Sequence, residues 1–391
     1  MIQIAPKIRG DKVIWGVVII LSVFSVLAVY SSTTTLAYRF EKGNTEHYLI
    51  RHLGLLLFGF VLMYAAHKIK YVYYAKLSMW LILIAAPLLL YTLIFGEVRN
   101  EAARWTTLPG TNIVFQPSDL AKLALIMFVA RMLAKKQENI KDLKSAFIPI
   151  LFPVLLICGL ILPANLSTAA ILFVTCIVLM FIGGVKFRYL LALAGIGTAA
   201  LALFITFLIV SPKSSGRLGT WQNRIENFGG KGDSDENFQV EQAKIAIANG
   251  GIVGRLPGNS MQKNFLPNPF NDFIFAIIIE EYGAIGAITI VLMYMILLYR
   301  GIRIAIKAPG NFGALLAIGV TISLIFQAFA NMAVAVHLVP VTGQPLPLVS
   351  MGGTSILFTS IAIGIILSVS KEMDETEEIK AESTDIQNAA V

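Results

Sequence analysis

The chain has 391 residues, 57% of them hydrophobic and 14% charged, against about 25% charged in an ordinary soluble domain. With a mean hydropathy of +0.75, a soluble globular fold is excluded, and so is a large separate water-soluble catalytic domain. The net charge of +8 does not point to nucleic acid, because Lys and Arg lie in short loops between apolar runs and form no continuous basic face.

A bilayer core about 30 Å thick takes roughly 20 apolar residues per helix. Ten such runs are predicted, over 13–30, 49–66, 77–95, 119–134, 146–162, 167–184, 189–210, 273–298, 312–336 and 353–370. The first follows Lys7, Arg9 and Lys12, as a signal peptide would, but its apolar core is long and no small-x-small cleavage site follows, so it reads as a retained span. Cys158 and Cys176 sit inside apolar runs without polar neighbours, which fits packing or lipid-facing residues and not metal ligands or a disulfide. Lys and Arg gather in alternate loops, around 7–12, 68–76, 131–144, 186–188 and 300–307, and this bias places both termini in the cytoplasm. Segments 31–48, 97–118, 163–166, 211–271 and 337–352 then face outward. The expected fold class is an all-α polytopic membrane protein: one domain over 1–370, with ten transmembrane helices and a large extracytoplasmic loop at 211–271. An acidic tail at 371–391 lacks apolar periodicity and reads as solvated, disordered and cytoplasmic.

Ionisable groups inside or beside apolar helices are costly enough in lipid to count as functional candidates. In Gln116-Pro117-Ser118-Asp119-Leu120-Ala121-Lys122, Ser118 or Asp119 is placed to cap a helix. Lys122 falls one turn inside, where its ammonium either snorkels outward or pairs with a carboxylate or an anionic ligand. Just upstream, Arg104 and Trp105 bring a cation and a ring to the same interface, although a Trp there is also an ordinary headgroup anchor.

Phe238 to Ala248 alternates apolar and polar residues and stops at Asn249-Gly250-Gly251, as an amphipathic helix lying on the membrane surface would. Gly250, Gly251, Gly254 and Gly258 either bring backbone amides to a phosphate or sugar, or simply loosen the loop. Asp272 opens the next span. On a helix it stands about 80° and about 12 Å from Glu280, with Glu281 nearly opposite. It marks the outer mouth, either as a working carboxylate or as a helix N-terminal charge favoured by the dipole. Pro340 to Gly353 is too rigid and apolar for a solvent loop and reads as a re-entrant or cavity-lining segment. There is no Walker sequence, His-Glu-x-x-His or Gly-x-Ser-x-Gly, and His47, His52, His67 and His337 are scattered at span ends, which argues against a nucleotide-driven or zinc-dependent site.

Several ordered blocks together resemble the SEDS family (FtsW, RodA, SpoVE) over about residues 13 to 370. They are Arg104-Trp105; Gln116 to Lys122; Ala246 to Gly251; Asn271 to Phe275 with Glu280-Glu281; and Pro345-Leu346-Pro347 with Ser350-Met351-Gly352-Gly353. The overall impression leans to the division branch of that family. The resemblance implies a peptidoglycan glycosyltransferase that polymerises lipid II into glycan strands at the outer face of the bacterial cytoplasmic (inner) membrane, at the division septum. It also implies a class B penicillin-binding protein and other divisome membrane proteins as partners, with membrane lipid around the chain and no nucleic acid.

The family's essential aspartate maps onto Asp272, expected as the general base. Lys122, Arg104 and Arg224 are candidates to hold the departing pyrophosphate. Gln116, Asp119 and Ser350 are expected at the substrate, with Glu280 and Glu281 in support. The sequence shows no metal cage, so no cofactor is assigned, although a divalent cation such as Mg or Mn would suit the leaving group. With one base and direct displacement, the anomeric centre inverts. The sequence departs from the family pattern at Pro163 to Thr168, which lacks a carboxylate, at Phe270-Asn271 before Asp272, and at Asp119, where Glu is commoner. The rival readings are a lipid-linked precursor flippase or proton-coupled transporter relaying protons over Asp272, Glu280 and Glu281, and a scaffold that only recruits division proteins.

Overall fold

The computed structural model describes residues 10–34, 45–99, 102–107, 114–211, 217–228, 235–266 and 269–389. Every predicted run corresponds to a helix: α1 (Lys12–Ser32), α2 (Thr45–Lys68), α3 (Tyr71–Phe95), α4 (Pro117–Lys135), α5 (Ile148–Ile161), α6 (Leu166–Ile182), α7 (Phe187–Val210), α10 (Ile274–Lys307), α11 (Asn311–Ala335) and α12 (Gly353–Ala389). Between α7 and α10 lie α8 (Arg217–Phe228) and α9 (Asp235–Gly250). Eight described helices are long and apolar enough to cross a membrane; α6 is shorter, and α4, at 19 residues, carries Asp119, Lys122, Arg131 and Lys135.

The all-α expectation needs one amendment. The segment between α3 and α4 holds a small antiparallel sheet, β1 (Glu97–Arg99), β2 (Ala102–Thr107) and β3 (Val114–Phe115), in the order β1-β2-β3. Trp105 pairs with Glu97 and Thr106 with Phe115. Trp105, Thr106 and Thr107 are β-favouring residues, and the sheet carries Arg104 towards the bundle. The tail also differs from expectation. α12 runs on as helix past residue 370 to Ala389, because Glu, Lys and Ala propagate a helix that a span has already nucleated; Lys371 and Glu375 pair one turn apart.

α11 and α4 are buried along much of their length, and α12, α10 and α6 pack around them. α7 buries only Leu190 and Leu208, so its apolar surface faces outward nearly all round, as lipid contact allows. Cys158 and Cys176 are buried packing residues. At the end of the bundle away from Asp272, Asp11 accepts from the Val13 and Ile14 amides as the cap of α1, and Arg300 Nε of α10 donates to it at 2.5 Å.

The segment expected as an amphipathic surface helix forms α9, but it is not segregated into an apolar and a polar face: Val240, Ala243 and Ala246 pack against α10 while Phe238 and Ile245 stay exposed. Of the glycines that follow, Gly250 and Gly254 are needed for close packing of the chain against α10. Gly283 takes φ 66 and ψ −162 and splits α10 into two helices, and the freed backbone pairs with the loop. Arg255 N donates to Glu280 O at 2.9 Å and Ala284 N to Gly251 O at 2.9 Å. A Cβ on Gly254 would lie 2.3 Å from Glu281 O, and one on Gly283 2.2 Å from Ile252 O. Only glycine permits two backbones to cross this closely.

Candidate active site

Asp272 lies in a turn at 269–273, just before α10. Its position is fixed through the backbone: Asn331 Nδ2 of α11 donates to Asp272 O at 3.0 Å, Ser350 Oγ to Asn271 O at 2.7 Å, and Met351 N to Phe270 O at 2.9 Å. None of these three bonds uses the carboxylate. It is half-buried, and Oδ1 is enclosed with no hydrogen-bond partner. Burial pushes its pKa up to about 6, while the Arg224 and Arg104 charges pull it back down.

Arg104 Nη1 and Asp272 Oδ2 both lie within 4.0 Å of the point where a Cβ of Gly343 would stand, at 3.8 and 4.0 Å. Gly343 has φ 66, so glycine both allows the turn and leaves this gap open. Arg104 reaches the bundle from β2, and its Nε donates to Ala164 O at 2.9 Å. The divergent turn at Pro163 to Thr168 therefore has a role that needs no carboxylate. Its carbonyl aims Arg104, Asn165 caps α6 by accepting from Thr168 N at 3.1 Å, and Thr168 Oγ1 accepts from Gln344 Nε2 at 2.6 Å. Arg224 stands half-buried on α8.

Below the mouth, Lys122 Nζ is 2.9 Å from Asp119 Oδ1 and donates to Gln327 Oε1 at 3.3 Å. This pair lines a small groove of about 40 Å³ between α4, α11 and α12, with Ser323, Ser355 and Thr359 on its other walls. Gln327 Nε2 in turn donates to Pro345 O at 3.0 Å. The strap over 341–351, expected as a re-entrant or cavity-lining segment, packs into the bundle with Leu346, Leu348, Val349 and Ser350 buried.

The FtsW/RodA/SpoVE family profile, described as cell cycle protein, matches residues 11–375. The chain belongs to the FtsW/RodA/SpoVE family. It is 34% identical over 379 residues to the probable peptidoglycan glycosyltransferase FtsW of Geobacter metallireducens, covering 94% of this chain and 96% of that one. With the stage V sporulation protein E of Bacillus subtilis it shares 34% over 372 residues, covering 93% and 98%. Among solved structures it is similar to a chain of a peptidoglycan synthase complex in which polymerization and crosslinking are coordinated (TM-score 0.72, 24% identity, 93% and 98% covered). It is likewise similar to the rod shape determining protein RodA of Thermus thermophilus (TM-score 0.64, 23% identity, 93% and 97% covered). These two likenesses show the fold.

Set on the FtsW/RodA/SpoVE framework, the predicted site residues divide into groups. Asp272, Arg104 and Arg224 meet at the mouth, and Asp119 and Lys122 meet in the groove. Neither Ser118 nor Asp119 caps α4: Gln116 is the cap residue, without a side-chain cap bond, Pro117 takes the first helical position, and Gln116 Nε2 donates to Ser118 Oγ at 2.9 Å. Ser350 is 1% exposed, and its hydroxyl accepts from Leu346 N at 2.8 Å while its one hydrogen goes to Asn271 O. It holds the Asp272 turn and is not placed to bind substrate.

Glu280 is wholly buried and accepts from Ser260 Oγ and from the Met261 and Gln262 amides, the latter two at 3.2 Å. Glu281 accepts from Ser31 Oγ, to which Lys263 Nζ also donates at 3.3 Å. Both carboxylates thus tie the 258–263 loop and α1 to α10. Sequence reasoning missed Gln327, Asn331 and Gln344. Two amides spaced i, i+4 in the largely apolar α11 were the available signal.

Among the described residues no three His, Cys, Asp or Glu side chains cluster as ligands, and the charged neighbours of Asp272 are arginines.

Proposed function

We infer that this chain is a peptidoglycan glycosyltransferase that polymerises lipid II at the outer face of the cytoplasmic membrane, with Asp272 as general base. The observation that carries the reading is a partly buried carboxylate, its Oδ1 without a hydrogen-bond partner, flanked by Arg104 and Arg224 at the mouth of a bundle of this family. The acceptor sugar's hydroxyl gives its proton to Asp272 and attacks the anomeric carbon, and the bond to undecaprenyl pyrophosphate breaks. A carboxylate with a pKa near 6 stays ionised at neutral pH yet is more basic than an exposed aspartate, which suits proton abstraction. Arg104, Arg224 and Lys122 are the cations available to the pyrophosphate. One base and direct displacement imply inversion at the sugar. Polymerisation of labelled lipid II by the purified protein, with and without a class B penicillin-binding protein, tests this activity and that partner together. A relay over Asp272, Glu280 and Glu281, as a proton-coupled transporter needs, gains nothing here, because the Glu280 oxygens are occupied by the 260–262 loop.

The pH dependence has a fixed sign. Above about pH 6 Asp272 is ionised and competent, so the rate should rise through an acidic limb near pH 6 and then level off. The same raised pKa means that the folded state holds this proton more tightly than the unfolded chain, so the contribution of Asp272 to stability falls as pH climbs from about 4 to about 6. A limb near pH 4 would remove the base from its buried setting.

The orientation follows from the positive-inside bias: both termini in the cytoplasm, 211–271 outside. With Cys158 and Cys176 replaced, a cysteine at the exposed Asn259 should react with an impermeant maleimide on intact spheroplasts. Labelling only after permeabilisation would invert the topology and move Asp272 to the wrong side for an extracytoplasmic reaction.

A further inference from the structure

His52 lies within α2, fully buried, and takes no part in the chemistry above. Its Nε2 is 2.8 Å from Ser25 Oγ of α1, and the same hydroxyl donates to Val349 O of the strap at 2.8 Å. We propose that His52 is a positioning residue for Asp272, acting through Ser25 on the strap; the proposal rests on Asp272 being the base.

A serine hydroxyl has one hydrogen, and a carbonyl only accepts. With that hydrogen on Val349 O, the contact to His52 is a hydrogen bond only if Nε2 carries a hydrogen. Nε2 therefore carries a hydrogen, and since Nδ1 has no acceptor to donate to, the neutral Nε2–H tautomer is the form that strands no N–H. Its Nδ1, buried with no hydrogen-bond partner, is then a bare acceptor and not a stranded N–H. Without His52, Ser25 can rotate to satisfy a carbonyl of its own helix; with it, the hydroxyl is held towards Val349.

The strap needs such pins. It has no regular secondary structure over 341–346, and Leu348 stands at φ 63, a region non-glycine residues hold only where their surroundings fix it. Its carbonyls are taken one after another by side chains from three helices: Gln344 O by Asn331 and Pro345 O by Gln327, both of α11, Pro347 O by Tyr294 of α10 at 2.5 Å, and Val349 O by Ser25 of α1. The residue after Val349 is Ser350, whose hydroxyl holds Asn271 O, one peptide from Asp272. Displacement at Val349 passes through two adjacent peptide units to the carboxylate.

Small misplacements remote from the reacting atoms cost up to about 100-fold in rate. His52→Leu should lower kcat for lipid II polymerisation by about 10- to 100-fold with KM within about 3-fold, whereas His52→Gln, which restores an N–H near the Nε2 position, should stay within about 3-fold of wild type. Ser25→Ala combined with His52→Leu should be no slower than the worse single variant, since both cut one connection. Nitrogen-15 NMR of the labelled imidazole in the wild-type protein should show Nε2 protonated and Nδ1 bare. Wild-type turnover in His52→Leu, equal losses in the Leu and Gln variants at matched thermal stability, or an Nδ1–H tautomer would each overturn the proposal. If His52→Leu fails to fold, the wild-type tautomer and the Gln variant still decide it. Failure of the base assignment is separate: Asp272→Asn would then keep its activity, while the tautomer would be unchanged.

Discussion

Asp272→Asn is expected to lower lipid II turnover by roughly 100-fold or more while expression and folding survive. Asn keeps the shape of the carboxyl group and removes its basicity. The backbone contacts that hold the turn, from Asn331, Ser350 and Met351, do not involve the side chain at all. The fold therefore has little reason to change. If anything the variant should be slightly more stable at neutral pH, because it no longer buries a charge whose ionised form the site disfavours.

Substrate binding should change far less than kcat. The control is Glu280→Gln, which also neutralises a buried carboxylate nearby. There the three donors at Ser260, Met261 and Gln262 need acceptors, and an amide supplies one oxygen where the carboxylate supplied two. Its loss should appear as lowered thermal stability, of about 1–3 kcal/mol for a donor left unsatisfied, with a milder effect on rate. The assay is glycan polymerisation in proteoliposomes with lipid II supplied on the accessible face, so that no flipping is needed. Wild-type polymerisation by Asp272→Asn would end the base assignment.

The ten spans were legible because lipid imposes one dominant rule, an unbroken apolar run of fixed length. Asp272, Lys122 and Arg104 were legible for the complementary reason: charge beside such a run stands out. The supporting contacts were not. Asn331 meets the Asp272 carbonyl across 59 positions of chain and Gln344 meets Thr168 across 176, and nothing local in a sequence says which distant carbonyl a buried amide will find. Ser350 shows the resulting error: a serine in a Pro- and Gly-rich segment looked like a substrate contact, whereas its hydroxyl is spent on the backbone of the Asp272 turn. The glycines around 250–258 failed for the opposite reason. Their need arises from Gly283, a kink inside a run whose periodicity alone reads as continuous helix.

Lys122→Met should have the other large effect, and for two separable reasons. Asp119 is 5% exposed, and its Oδ2 already lacks a hydrogen-bond partner. Removing Lys122 leaves a buried carboxylate with no opposite charge, a loss of about 3–5 kcal/mol when one member of a buried pair is deleted. That cost alone could silence the protein, so the single variant does not settle the role of the ammonium. Adding Asp119→Asn removes the stranded charge, and the double variant should regain most of the lost thermal stability. If the Lys122 ammonium serves the pyrophosphate through the groove it lines with Ser323, Ser355 and Thr359, the refolded double variant should still polymerise lipid II roughly 100-fold more slowly than wild type. Lys122→Arg should fall between, because it keeps the charge and exchanges a compact ammonium for a planar fork that cannot sit between Asp119 and Gln327 in the same way. Recovery of turnover together with stability in the double variant would reduce Lys122 to an internal ion pair and leave Arg104 and Arg224 as the cations of the site.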